Sequence, residues 1–213
     1  MCPTSLTRMF RQFRSDERGV ISIELILVLP ILTWVLMSTF VYFDLFRNES
    51  NTHRAALTVA DMFSREQTLI DGGYVTGARN VLRELTLDDP DPALRVTVYR
   101  YQASDDTYRV VWSENNGLAP NLDDDALKLL QDAQRLPILA DDGRHILVET
   151  RATYTPPFRT GISLIARRGT DSEVRLFEGS QIGGFTSDTF TVISPRFTPS
   201  LCWDAPAPND DLC

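Results

Sequence analysis

From Leu25 to Phe43 the chain carries no charged side chain, and Leu, Ile and Val dominate the run. A helix needs about 20 apolar residues to cross bilayer hydrocarbon, so the pattern predicts a spanning helix over residues 20–46. Downstream the pattern turns periodic. Leu45, Thr52, Ala56, Val59 and Phe63 recur at helical spacing, with Arg47, Glu49, Arg54 and Asp61 falling elsewhere. That spacing predicts that the same helix continues through residues 47–70 with one apolar stripe. At 1.5 Å per residue, a rod from Val20 to Glu66 is roughly 70 Å long. Asp71-Gly72-Gly73 is expected to break it.

Beyond the break, Val75, Ala78, Val81, Leu82 and Leu85 define one side of a second helix over 74–87, ended by Asp88-Asp89-Pro90-Asp91-Pro92, since Pro cannot continue a helix. Leu94–Gln102 and Tyr108–Trp112 are β-rich, and Ser104-Asp105-Asp106 between them predicts a hairpin loop. Asn115-Asn116-Gly117 predicts a turn. A third helix is expected over 123–135, with Asp residues suiting its N-terminal dipole and Ala126, Leu127, Leu130 and Ala133 inward. His145–Tyr154 is the clearest strand, with Ile146, Val148, Thr150, Ala152 and Tyr154 on one face. Pro156-Pro157 stops it. The segment 158–185 is ambiguous, 189–194 reads as a final strand, and Pro195 onward reads as tail. Helices followed by hairpin-connected strands favour an α+β domain with an antiparallel sheet against the long helix. The expected organisation is a leader (1–19), a transmembrane helix (20–46), its continuation (47–70), an α+β domain (71–200) and a tail (201–213).

Charge refines this picture. The leader holds Arg8, Arg11, Arg14 and Arg18 against Asp16 and Glu17, a net of 4 − 2 = +2. Positive charge beside a first span holds that end in the cytoplasm, which directs the C-terminal body to the far side. The whole chain carries −8, so residues 20–213 carry −8 − 2 = −10. An acidic body of this size argues against nucleic acid as a partner, because phosphates would be repelled. Cys202 and Cys213 fall on the oxidising side, where disulfides persist. A Cys202–Cys213 bridge is expected, and closing that short loop contributes about 2–3 kcal/mol on the chain-entropy model; the alternative is two free thiols on a frayed tail. Cys2 belongs to the leader.

The apolar run is too long for the core of a secretory signal peptide, and no A-x-A-like site follows it. Just before it stands Arg18-Gly19-Val20-Ile21-Ser22-Ile23-Glu24. A carboxylate within hydrocarbon costs roughly 2.5–3.5 kcal/mol on insertion scales and usually has a partner. Cutting after Gly19 would make Val20 a new amino terminus with a free ammonium. Glu24 would then lie one helical turn away, at i, i+4, able to meet its own terminus or a neighbour's. Gly19 suits a cut because a residue without Cβ lets the backbone lie close in a protease cleft. The competing reading is that Glu24 reaches headgroup water and Gly19 is an ordinary loop residue.

The segment Phe13–Glu24, with Leu27-Val28-Leu29-Pro30, resembles the TadE-like minor pilins of tight-adherence (Tad) pili. The continuations Phe43-Asp44-Leu45-Phe46-Arg47 and Ala60-Asp61-Met62-Phe63-Ser64-Arg65-Glu66 are similar to members of the same family. The resemblance covers residues 13–66. It implies cleavage after Gly19 by a prepilin peptidase, with Glu24 aiding assembly by meeting a neighbour's new terminus. It also implies residence in a bacterial inner membrane, N-terminus cytoplasmic and C-terminal domain periplasmic, and partnership with other pilin subunits and the Tad assembly platform.

No enzyme constellation is legible. His53 and His145 stand apart from any His or Cys at metal-ligand spacing, and no phosphate-binding loop or nucleophile elbow occurs. Gly183-Gly184 has neither the Lys nor the helix of a phosphate loop. The Asp groups at 88–91, 123–125 and 141–142 match no EF-hand loop and sit where turns and caps favour Asp. No cofactor or metal is expected. Two rivals remain: an unprocessed, membrane-anchored enzyme or ligand-binding domain, and a subunit of a type II-like secretion pseudopilus, whose usual Phe-Thr-Leu-type start this chain lacks.

Overall fold

The computed structural model of the chain describes residues 20–86, 91–157, 163–168, 172–178 and 185–204. The leader with Cys2 and Gly19, Asp88-Asp89-Pro90, Gly183-Gly184 and Cys213 lie outside the described residues. The chain divides into two compact units, Met1–Phe43 with Pro157–Gln181, and Asp44–Pro156 with Ile182–Cys213.

Helix α1 runs from Val20 to Arg65 without interruption, with Pro30 inside it. Pro30 removes one backbone donor and frees the Ile26 carbonyl. In the first unit, the segment that the sequence leaves ambiguous forms an antiparallel pair, β4 (Ser163–Arg168) and β5 (Ser172–Glu178).

The second unit is built on an antiparallel four-stranded sheet in the order β2-β1-β3-β6. Its strands are β1 (Ala93–Gln102), β2 (Thr107–Asn116), β3 (Arg144–Tyr154) and β6 (Phe185–Ile193). Alternation places Leu94, Val96 and Val98 of β1 and Ile146 and Val148 of β3 on one face. There they pack with Val59, Ala60 and Phe63 of α1 and with Val75, Ala78 and Leu82 of helix α2 (Gly72–Thr86). Of the predicted stripe, Thr52, Ala56, Val59 and Phe63 are sealed from solvent, and Leu45 is half-buried. The opposite face carries Tyr99, Tyr108 and Leu147 against Leu127 of helix α3 (Asp124–Asp132). Asp123 caps α3 by accepting from the Ala126 N–H at 2.8 Å, satisfying one of the orphan donors of its first turn. The unit is thus a three-layer α+β arrangement, with a sheet covered on both faces.

Four local expectations change. Asp71-Gly72-Gly73 does not end α1, which stops at Arg65. Glu66 instead accepts from the Gln67 and Thr68 N–H groups and from the Thr68 hydroxyl, turning the chain. Asp71 accepts from the Tyr74 N–H, so it starts α2 two residues before the expected Tyr74. Asn115 and Asn116 do not turn the chain but extend β2, because β1 still offers a ladder partner, with Arg95 opposite Asn115. The turn falls at Gly117, whose φ is +91° and where a Cβ would approach Ala93 Cβ to 3.2 Å; glycine suits both demands. Leu85, expected on the inner side of α2, is exposed.

The largest difference is at the C-terminus. Residues 195–204, expected as the start of a tail, are packed onto the domain. Leu201 is 1% exposed and belongs to the main core. Its carbonyl accepts from Trp112 Nε1 at 2.7 Å. Trp203 pairs with Ile70 in a parallel bridge, through the Ile70 N–H to the Cys202 carbonyl and the Asp204 N–H to the Ile70 carbonyl. The sequence shows only a Pro- and Ser-rich stretch with isolated apolar residues, and such spacing carries no period to read.

Candidate processing and assembly site

Every large apolar side chain of α1 from Ile23 to Met37 is exposed, on all sides of the helix. In a helix that is apolar all round, those surfaces belong in lipid or against other helices. Its length and composition suffice to cross a membrane. Two of its three described Ser and Thr hydroxyls before Phe43 are met within the helix, while Ser38 Oγ is buried without a hydrogen-bond partner. Thr33 Oγ1 donates to the Leu29 carbonyl and Thr39 Oγ1 to the Val35 carbonyl, each at 2.8 Å. These i−4 back-bonds satisfy the hydroxyls without an outside partner.

Glu24 is exposed, and it is the one charged residue between Val20 and Phe43. Val20 opens α1, so Val20 and Glu24 occupy i and i+4 of one regular helix, which brings the two positions to the same side. Gly19, the other half of the expected cut, lies outside the described residues. At the far end of the apolar run, Tyr42, Phe43 and Phe46 are exposed beside Arg47, the composition that favours a membrane–water boundary. Asp44 accepts a hydrogen bond from the Tyr154 hydroxyl. Cys202 is disulfide-bonded; its expected partner, Cys213, lies outside the described residues.

The remaining titratable candidates take structural roles. His53 is exposed on α1. Asp124 accepts from the Val110 N–H at 2.7 Å and from Arg109, and Asp141 accepts from the Ala103 N–H at 2.9 Å. Asp142 holds a φ of +57° in the turn before β3. Among the described residues, no three His, Cys, Asp or Glu side chains converge as a metal site would require.

The structure adds one pair that sequence separation hides: His145 Nε2 lies 2.7 Å from Ser194 Oγ. His145 Nδ1 is buried without a hydrogen-bond partner, whereas a catalytic histidine has an acid there to hold its tautomer. The direction of the Ser194 hydrogen bond follows the imidazole tautomer.

Burial beside Tyr99 (ring centroids 6.3 Å apart) holds His145 below its ordinary pKa of 6.5. As pH falls through 6.5 the unfolded chain takes up this proton first, so stability conferred by neutral His145 is present above 6.5 and lost below it. The full chain in micelles should therefore show a smaller fall in unfolding midpoint between pH 7.5 and 5.0 when His145→Gln is introduced. An equal fall in both proteins would contradict this.

Comparison with models of known protein families, with characterised proteins and with solved structures finds no match to this chain.

Proposed function

We propose that this chain is a TadE-like minor pilin, a non-enzymatic assembly subunit cut after Gly19 and packed through α1 against other pilin helices. The observation that supports the reading is the single carboxylate in the apolar part of α1, between Val20 and Phe43. Glu24 sits one turn inside a helix that carries no other charge to Phe43 and is exposed from Ile23 to Met37, and it would gain a partner once Val20 bears a free ammonium. The unbroken course of α1 through Pro30 supports the same reading, since a packing helix must stay continuous. The Arg-rich leader would keep the N-terminus in the cytoplasm of a bacterial inner membrane, with residues 47–213 periplasmic until incorporated in an adhesive fibre. Its partners would then be the prepilin peptidase, other pilin subunits and the Tad assembly platform.

The N-terminal mass of protein extracted from its host's membrane tests this directly. A mature chain beginning at Val20 is expected. A chain that keeps its leader would overturn the proposal in favour of a tethered periplasmic domain that is never processed.

A further inference from the structure

On the sheet face that α3 leaves partly open, β1, β3 and β6 line a cleft of about 260 Å³. Its floor is an ordered row of charges. Arg95 Nε donates to Glu149 Oε2 at 2.7 Å, and these side chains are only 14% and 16% exposed. Arg95 Nη1 also donates to the Pro120 carbonyl at 2.7 Å. In the next row, Arg151 donates to both oxygens of Asp188, at 2.6 and 3.1 Å. Both acids are thereby neutralised within the cleft.

Arg135 is the exception. It reaches the cleft from the segment after α3, and its guanidinium carbon lies 4.2 Å from the centroid of the Phe190 ring. Among the described residues, no carboxylate forms an ion pair with it. Stacking on a ring engages one face of a guanidinium and leaves its in-plane N–H fork open, and that fork matches a carboxylate in bidentate fashion. Three arginines against two acids leave the cleft at +1, on a body that carries −10 beyond the leader.

We propose that this cleft binds an aspartate or glutamate side chain of an acidic peptide segment, with Arg135 as the carboxylate receptor and Phe190 as the platform that orients it. The volume admits a side chain or two rather than a cofactor. The segment's two candidate sources, another copy of this chain, which carries Asp88-Asp89-Pro90-Asp91, and another protein, are separated by the probes below. The proposal does not depend on processing or on fibre assembly.

Binding of fluorescent peptides to the full chain in detergent micelles tests it, using hexaglutamate, hexalysine and a copy of residues 87–92 as probes. Saturable binding of hexaglutamate is expected, with none of hexalysine. Arg135→Gln should weaken it roughly tenfold or more, the effect of losing charge-assisted hydrogen bonds. Tighter binding of the 87–92 copy would point to a second copy as the source, and equal binding to acidic peptides in general; either supports the site. Arg135 is exposed, so an unchanged unfolding midpoint for the variant separates lost binding from lost folding. Absence of acidic-peptide binding, or equal binding by Arg135→Gln and the parent chain, would overturn the proposal.

Discussion

On the proposed pilin reading, Glu24→Ala is expected to leave insertion and cleavage intact and to reduce the subunit's presence in the fibre at least tenfold. Residues 20–43 contain no other charge, so the substitution makes the helix easier to insert, removing a cost of roughly 2.5–3.5 kcal/mol. The proposed cut would depend on the backbone at Gly19 and Val20, which the substitution does not touch. Docking is different. In an assembling fibre the ammonium on a neighbour's new terminus would lose its counter-charge within hydrocarbon, where an unpaired charge is costly. Every 1.4 kcal/mol of that loss is a factor of about ten in occupancy. Glu24→Gln separates charge from size: it keeps the side-chain volume and should be similarly impaired. Quantifying the processed subunit in membrane and sheared-fibre fractions reads both steps. Normal fibre content in Glu24→Ala would remove Glu24 from the assembly role.

The second large effect concerns the C-terminal segment. Leu201→Ala should lower unfolding stability by about 2–5 kcal/mol, the usual range for truncating a buried leucine. Leu201 packs in the main core beside Trp112 and the partly buried Trp203, whose rings lie 5.2 Å apart. The cavity would open among residues from α1, α2, three strands and the chain end, so few neighbours can collapse into it without moving another element. A domain of this size is typically stable by only about 5–15 kcal/mol, which makes the loss a sizeable fraction. Tryptophan fluorescence during denaturation of the full chain in micelles measures it. Leu129→Ala, at a site 70% exposed, serves as the surface control and should stay within about 0.5 kcal/mol. Equal midpoints for the two variants would show that the segment does not stabilise the core.

Local chemistry was legible in the sequence wherever one periodicity dominated. The charge-free run to Phe43, the stripe through Thr52, Ala56, Val59 and Phe63, and the alternation of β3 each announce an element, because helix and strand repeat their buried positions at fixed intervals. The α+β class and the Asp123 region's role at a helix start follow from the same local rules. The isolated carboxylate at Glu24 was equally plain, since a charge within an apolar run is visible without any fold.

Tertiary structure decided what depends on partners distant in sequence. Asn115 and Asn116 have turn-forming side chains, yet they lie in a strand because β1 supplies hydrogen bonds that a turn would forgo. Leu201 sits in a stretch with no period, and only the groove beside Trp112 and Ile70 makes it core. The pairing of His145 with Ser194, and the placing of Arg135 over Phe190, join residues 49 and 55 positions apart. Short-range periodicity records which side of an element is buried; it holds no record of which two elements meet, since that is settled by packing the whole set at once.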